Sequence, residues 1–355
     1  MTALAHERRK VIVDPHFRGM SEIFSSVDAE RLAELVNVVW GRDDPMPLDE
    51  FEAALPGTLA VVSSGWRYGS VLDRADELRA ILTVGGGWPP EIDYAYCEQR
   101  GIRVLSAGPA FAEAVAEMAL ALALACSRDL VAEDRAMRAG DERFLSNADT
   151  LDTFLLFRKR VGFVGFGNIG RQLRRLLEPF ACQLHAYDPW LTDASLRDEG
   201  VEPTALVELL ETSRVLFVLA SPTSENEALL SRELLELVPA DAVLVLASRA
   251  HVVDFDALTE LVLAGRFQAA IDVYPSEPLA AAHPIRGASG AVLSPHRAGL
   301  TKEALREIGT RVVDDLDAII KGLPPRRLQV AEPELASRYV RTTTLTTPRT
   351  GAVPT

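Results

Sequence analysis

A chain of 355 residues is too long for one compact core and points to two domains. Its 48% hydrophobic and 25% charged content is that of an ordinary globular protein, and its net charge of -14 argues against nucleic acid or an anionic membrane as a partner. Cys97, Cys126 and Cys182 are odd in number and form no CxxC pair, so a reducing compartment and no metal site are expected. The opening MTALAHERRK lacks an apolar signal core. The most apolar helical stretch, around Ala114 to Cys126, is interrupted by Glu117 and is shorter than a membrane span. A cytoplasmic protein is expected.

The first hundred residues alternate short apolar strands with helices. Lys10 to Val13, Leu59 to Val62, Ala80 to Val84 and Arg103 to Leu105 have the length and composition of buried strands. Helices are predicted over Ser21 to Leu35, Leu48 to Ala54, Ser70 to Ala75 and Glu91 to Arg100. Such alternation implies a parallel sheet covered on both faces. Two strand ends stand out, Ser63-Ser-Gly-Trp-Arg-Tyr68 and Val84-Gly-Gly-Gly-Trp-Pro-Pro90. Ligands of open α/β sheets gather at such ends. Successive glycines expose N–H groups able to hold a carboxylate; turns that merely carry a packed Trp are the alternative.

Pro109 to Met137 reads as one long connector helix, and the weakly periodic Arg138 to Lys159 as an arm that could be intermolecular. Next comes VGFVGFGNIGRQLRRLLEPFACQLHAYD, Val161 to Asp188. An apolar strand ends in Gly165-Phe-Gly167-Asn168-Ile169-Gly170, a helix follows with Ile169, Leu173, Leu176 and Leu177 on one face, and a second strand stops at an acid. That is a βαβ unit with the dinucleotide fingerprint. Gly165 allows the tight turn, Gly167 lets the backbone approach a pyrophosphate, and Gly170 lets helix and strand pack closely. The helix N-terminus favours phosphate. Asp188 lies about 18 residues past the last glycine, suited to a ribose 2′-hydroxyl and hostile to a 2′-phosphate, so NAD is preferred to NADP.

Beyond Asp188, strands are predicted at Arg214 to Leu219, Ala242 to Ala247, Phe267 to Ile271 and Ala291 to Leu293. Helices are predicted at Leu206 to Leu210, Arg232 to Leu237, Phe255 to Ala264 and Thr301 to Lys321. Three polar residues follow strand ends: Arg249, Glu277 and His296. A guanidinium can grip a carboxylate and polarise the adjacent carbonyl. An imidazole can donate a proton as a hydride arrives, and a carboxylate can orient that imidazole and raise its pKa.

From about Leu59 to Leu323 the chain resembles the D-isomer-specific 2-hydroxyacid dehydrogenases. The resemblance is carried by the glycine strand end, Ala114-Val-Ala-Glu-Met-Ala119, the Val161 to Asp188 fingerprint, Ala220-Ser-Pro-Thr223, Asp272-Val-Tyr-Pro-Ser-Glu-Pro278 and Ser294-Pro-His-Arg-Ala-Gly299. It implies two doubly wound parallel-sheet domains, with a Rossmann NAD-binding domain inserted in a flavodoxin-like substrate domain. The expected boundaries are 1–108 with 299–330 for the substrate domain and 109–298 for the NAD-binding domain, followed by a mobile tail over 331–355. By resemblance, Arg249 binds the substrate carboxylate and keto oxygen, Glu277 supports the histidine, and His296 is the general acid/base. Gly86 and Gly87 hold the carboxylate through N–H groups, and Arg67 adds a substrate contact. Asn168, Ile169, Ala220, Pro222, Ala247 and Asp272 join the fingerprint residues around NAD. A homodimer formed through connector and arm is implied too.

The implied reaction interconverts a small 2-keto acid and its D-2-hydroxy acid. The alternative is an NAD-sensing, corepressor-like binding protein on the same scaffold. The chain departs from the family pattern at Ala250 and His251, after the catalytic Arg, and at Arg297, after the histidine. His251 would either crowd the nicotinamide side or face solvent. With Arg67 alone in its loop, a non-phosphorylated substrate is expected rather than phosphoglycerate.

Overall fold

The computed structural model of the chain describes residues 8–69, 71–141 and 153–340. They form two compact units, one from Met1–Glu113 with Leu300–Tyr339, the other centred on Ala114–Gly299.

In the first unit, β1 (Lys10–Asp14), β2 (Asn37–Trp40), β3 (Thr58–Ser63), β4 (Ala80–Thr83) and β5 (Arg103–Ser106) are parallel, in the order β5-β4-β3-β1-β2. Gln329–Val330 adds antiparallel beside β5. This is the flavodoxin-like order, which reverses direction between β1 and β3. Strand side chains alternate between two cores. Val11, Val13, Val62 and Leu82 pack with Leu32, Ile308, Val312 and Leu316, whereas Ile12, Val61, Ile81 and Val104 pack with Phe51, Cys97 and Ala336. Burial on both faces explains the continuous apolar runs, and each such side chain stabilises the fold by roughly 1.5–3 kcal/mol. The helix Lys302–Ile320 carries buried Asp315, whose carboxylate accepts the N–H groups of Arg326, Arg327 and Leu328 at 2.8–3.2 Å. Those bonds turn the chain into its antiparallel strand.

The second unit contains β6 (Arg160–Val164), β7 (Gln183–Tyr187), β8 (Glu202–Pro203), β9 (Val215–Val218), β10 (Val243–Leu246), β11 (Gln268–Ile271) and β12 (Ala291–Leu293). Their order, β12-β11-β10-β9-β6-β7-β8, is the Rossmann arrangement with one further strand. Every pair is parallel.

Several elements differ from expectation. The helix expected over Ser21 to Leu35 is two, Met20–Ile23 and Ser26–Leu35, because Ser25 is extended and its hydroxyl accepts the Asp28 N–H. Of the helix expected over Ser70 to Ala75, residue 70 lies outside the described residues, and the rest carries only the short 3₁₀ turn Leu72–Arg74. The long connector is also two helices, Gly108–Ser127 and Leu130–Ala139, broken at Asp129 with φ +50°. Gly108–Ser127 has the length and composition to cross a membrane, contrary to the sequence estimate. It nevertheless buries Ala112, Ala116, Ala119, Ala123 and Cys126 at helical spacing, as a core helix does. Residues 331–340, expected as the start of a tail, are folded: Pro333–Ala336 is helical, with Ala336 buried in the first unit. The remainder of the expected tail, 341–355, and the middle of the expected arm, 142–152, lie outside the described residues.

Candidate active site

β10, β11 and β12 are neighbours, about 4.8 Å apart as sheet strands are, and their carboxyl ends lead into Arg249, Glu277 and His296. Topology therefore gathers these three residues on one edge of the second unit. His296 Nδ1 is 2.6 Å from Glu277 Oε2. The other carboxylate oxygen, Oε1, accepts the Tyr274 N–H at 3.1 Å. Burial pushes the Glu277 carboxyl up, but the hydrogen bond and charge of His296, the Tyr274 N–H and the Arg249 charge outweigh it, and the net shift is downward. With Nδ1 occupied by Glu277, Nε2 of His296 is the nitrogen left to exchange a proton with a ligand.

Asp272, assigned by resemblance to the cofactor, is completely buried. Its oxygens accept the N–H groups of Arg297 at 2.9 Å and Ala298 at 3.1 Å, and its carbonyl accepts the His296 N–H at 2.7 Å. Its visible role is thus to position the histidine, which adopts a positive φ of +52°. Such a conformation in a residue other than glycine costs on the order of 1–3 kcal/mol and persists where its surroundings enforce it. Tyr274 is not a competing proton donor. Burial pushes its phenol up to about 12, and its hydroxyl donates to the Ile271 and Ser294 carbonyls.

Arg249 is half-buried and spends Nη1 on the Ser248 carbonyl at 2.7 Å, leaving further N–H donors on the guanidinium. Ala250 fits the core with 5% exposure. His251 resolves its two expected alternatives in a third way, since its Nε2 lies 3.0 Å from the Thr223 carbonyl. It thereby fastens the turn after β10 to the Ala220-Ser-Pro-Thr223 segment, where Pro222 is buried and Ala220 half-buried. Ala247 is also buried.

The glycine turn fits a dinucleotide. Gly165 has φ +89°, and a Cβ there would come within 2.6 Å of the Ala220 backbone. A Cβ on Gly170 would meet the Phe166 ring at 3.0 Å. At Gly167 a Cβ would meet nothing within 4 Å, so internal packing does not demand glycine, whereas close approach of a pyrophosphate would. Gly167 N-caps the helix Asn168–Leu177 without a side-chain acceptor, and the helix buries Gly170, Leu173 and Leu177. Ile169 is half-buried and Leu176 is exposed, so the buried stripe is narrower than expected. Asp188 closes β7, and its carboxylate accepts the N–H groups of Phe166 at 2.8 Å and Trp190 at 2.9 Å. It braces the glycine turn while each oxygen keeps a lone pair for a ribose hydroxyl.

In the first unit, the ends of β1, β3 and β4 lie at the β1/β3 switch point or beside it. Buried Asp14, at the end of β1, takes Arg67 Nη2 and the Tyr68 hydroxyl on Oδ2, and the Met46 N–H at 3.3 Å on Oδ1. Arg67, expected to meet substrate, is therefore paired internally, though its side chain remains 40% exposed. Trp66 and Trp88 are both buried, as the packed-Trp alternative requires. The neighbouring glycines behave differently. Gly85 turns its carbonyl toward the Ala107 N–H and the Ser106 hydroxyl. Among the described residues, no acceptor takes the N–H of Gly86 or Gly87. Asp14 was missed in the sequence, although an acid directly after a strand is the same signal that marked Asp188.

Residues 120–298 match the family model described as D-isomer specific 2-hydroxyacid dehydrogenase, NAD binding domain. A glyoxylate reductase of Thermofilum pendens is 33% identical over 260 residues, covering 72% of this chain and 76% of that protein. The chain belongs to the D-isomer-specific 2-hydroxyacid dehydrogenase family. Its second unit is the family's NAD-binding domain. A D-3-phosphoglycerate dehydrogenase of Mycobacterium bovis is 30% identical over 294 residues, covering 82% of this chain but only 54% of that protein. The chain thus spans about half the length of that relative. The crystal structure of a phosphoglycerate oxidoreductase from Rhizobium etli superposes with a TM-score of 0.81 at 35% identity, covering 92% of this chain and 99% of that one.

Proposed function

We propose that this family member is an NAD(H)-dependent oxidoreductase that interconverts a small 2-keto acid and its D-2-hydroxy acid, working in the cytoplasm as a homodimer. The observation that carries the reading is the 2.6 Å pairing of His296 with Glu277 beside Arg249, in the same unit as the dinucleotide turn. NADH, when bound, supplies the hydride for the carbonyl carbon. His296 holds the proton for the carbonyl oxygen on Nε2, and Glu277 stabilises the imidazolium before transfer. Arg249 pairs with the carboxylate and polarises the keto oxygen. The N–H groups of Gly86 and Gly87 take the carboxylate. Gly165, Gly167, Asn168, Ile169 and Gly170 form the phosphate turn, Asp188 takes the ribose, and Ala220, Pro222 and Ala247 line the cofactor.

The names of the relatives include both phosphoglycerate and glyoxylate enzymes. A non-phosphorylated substrate is favoured because Arg67, the basic residue of the loop after β3, is already paired with Asp14. A panel of 2-keto acids, with glyoxylate, hydroxypyruvate and phosphohydroxypyruvate among them, tests the proposal by NADH oxidation. Turnover of a small keto acid is expected. NADH binding without turnover of any member would overturn the enzyme reading in favour of an NAD-sensing protein.

A further inference from the structure

The C-terminal segment of the first unit reaches the glycine strand end. The helix Pro333–Ala336 sets Ala336, 1% exposed, into the core that contains Trp66, Trp88 and Tyr94, and Tyr339 packs against the same core. Tyr339 stands directly over Gly87. A Cβ on Gly87 would lie 2.8 Å from the Tyr339 Cζ and nearer still to its hydroxyl oxygen. A side chain at position 87 would have to push the tip of the Tyr339 ring aside, while the φ of Gly87 is not positive. The ring is half-buried, and among the described residues its hydroxyl has no hydrogen-bond partner. The N–H groups of Gly86 and Gly87, beside it, are equally uncommitted. Three uncommitted donors thus belong to one short loop and the side chain that rests on it.

We propose that Tyr339 is a substrate-contacting residue whose hydroxyl donates a hydrogen bond to the carboxylate held by the Gly86 and Gly87 N–H groups. This inference rests on the dehydrogenase reading above. A neutral donor on an anionic acceptor makes a charge-assisted bond, stronger than one between neutral groups. The carboxylate is unchanged by the reaction, so the bond contributes equally to substrate and transition state. Its loss should raise KM and leave kcat alone. The ring also closes the site around a short substrate, which accounts for a C-terminal segment that folds onto this loop instead of trailing away from it.

The test is Tyr339→Phe, which removes the hydroxyl and keeps the ring on its core. KM for the best keto acid, kcat, and NADH affinity by nucleotide fluorescence should be measured on the full chain beside the wild type. The expected result is a KM raised about tenfold or more, with kcat within about twofold and NADH affinity unchanged. An active wild type whose KM is unaltered by Tyr339→Phe would overturn this inference alone. A matched loss of kcat and NADH affinity would overturn it too, since that is the signature of a structural disturbance. A wild type inert toward every keto acid would overturn the dehydrogenase reading and this inference with it.

Discussion

Asp272 holds His296 through the backbone, since its carbonyl accepts the His296 N–H at 2.7 Å while its carboxylate accepts the next two N–H groups at 2.9 and 3.1 Å. A completely buried acid is thereby spent on the shape of one turn, and the turn carries an imidazole at positive φ. Asp272→Ala should cost about 1.5–3 kcal/mol in urea unfolding, because charge-assisted bonds to buried N–H groups are lost. The kcat should fall more than NADH affinity, as the proton donor loses its aim. Asp272→Asn keeps one carbonyl acceptor and should fall between. Unchanged kcat in Asp272→Ala would remove the positioning role.

Asp188 braces the glycine turn and is expected to select the cofactor. Its charge should repel a 2′-phosphate, and its oxygens brace Phe166 and Trp190. Wild type should use NADH with clearly higher kcat/KM than NADPH. Asp188→Ala should narrow that ratio and also weaken NADH binding, because the glycine turn loses its brace. Equal efficiency of the wild type with both cofactors would contradict the assignment.

The helix Leu130–Ala139 buries none of its side chains, and it exposes Leu130 at 62% and Met137 at 65%. Leu155, at 62%, and Phe157, at 45%, expose further apolar surface in the same unit. Leu130 and Met137, seven residues apart, fall on one face of that helix, and such a face is the expected contact of the proposed homodimer. Sedimentation at micromolar concentration should give a dimer mass, and Leu130→Glu with Met137→Glu should shift it toward monomer. A monomeric wild type would count against the homodimer.

Much of the second unit is legible in the sequence because its chemistry is local. The strand, turn, helix, strand and acid of Val161 to Asp188 all fall within one short stretch, and Arg249, Glu277 and His296 each follow an apolar strand. The weak points are equally physical. Asn37–Trp40 escapes notice because it is a four-residue edge strand directly after a helix, and Glu202–Pro203 is shorter still. The break at Asp129 has no Gly or Pro to announce it; the aspartate itself takes the left-handed conformation. Tyr339 over Gly87 joins residues far apart in the chain, and no periodicity reports such a contact. Asp272 reads by resemblance as a cofactor residue, and only its hydrogen bonds show what it holds.

The central claim is that Glu277 sets the proton on His296. The Glu277 carboxyl is held below its ordinary value of 4.5, so it is ionised through the neutral range. A carboxylate depressed on folding contributes stability that is fully present above the unfolded value and is lost as pH falls through the lower folded one. That contribution should vanish in Glu277→Gln, and His296→Ala should lose about 10²–10⁴-fold in rate with NADH binding nearly intact. The most direct measurement is the pH profile of kcat/KM, in the direction of keto acid reduction, for wild type and Glu277→Gln. Wild-type activity should fall on the acid side as the Glu277 carboxylate, ionised through the neutral range, takes up its proton and lets go of His296, and Glu277→Gln should have low activity throughout with that acid limb missing. A Glu277→Gln profile that matches wild type in height and keeps the acid limb would contradict the pairing of Glu277 with His296.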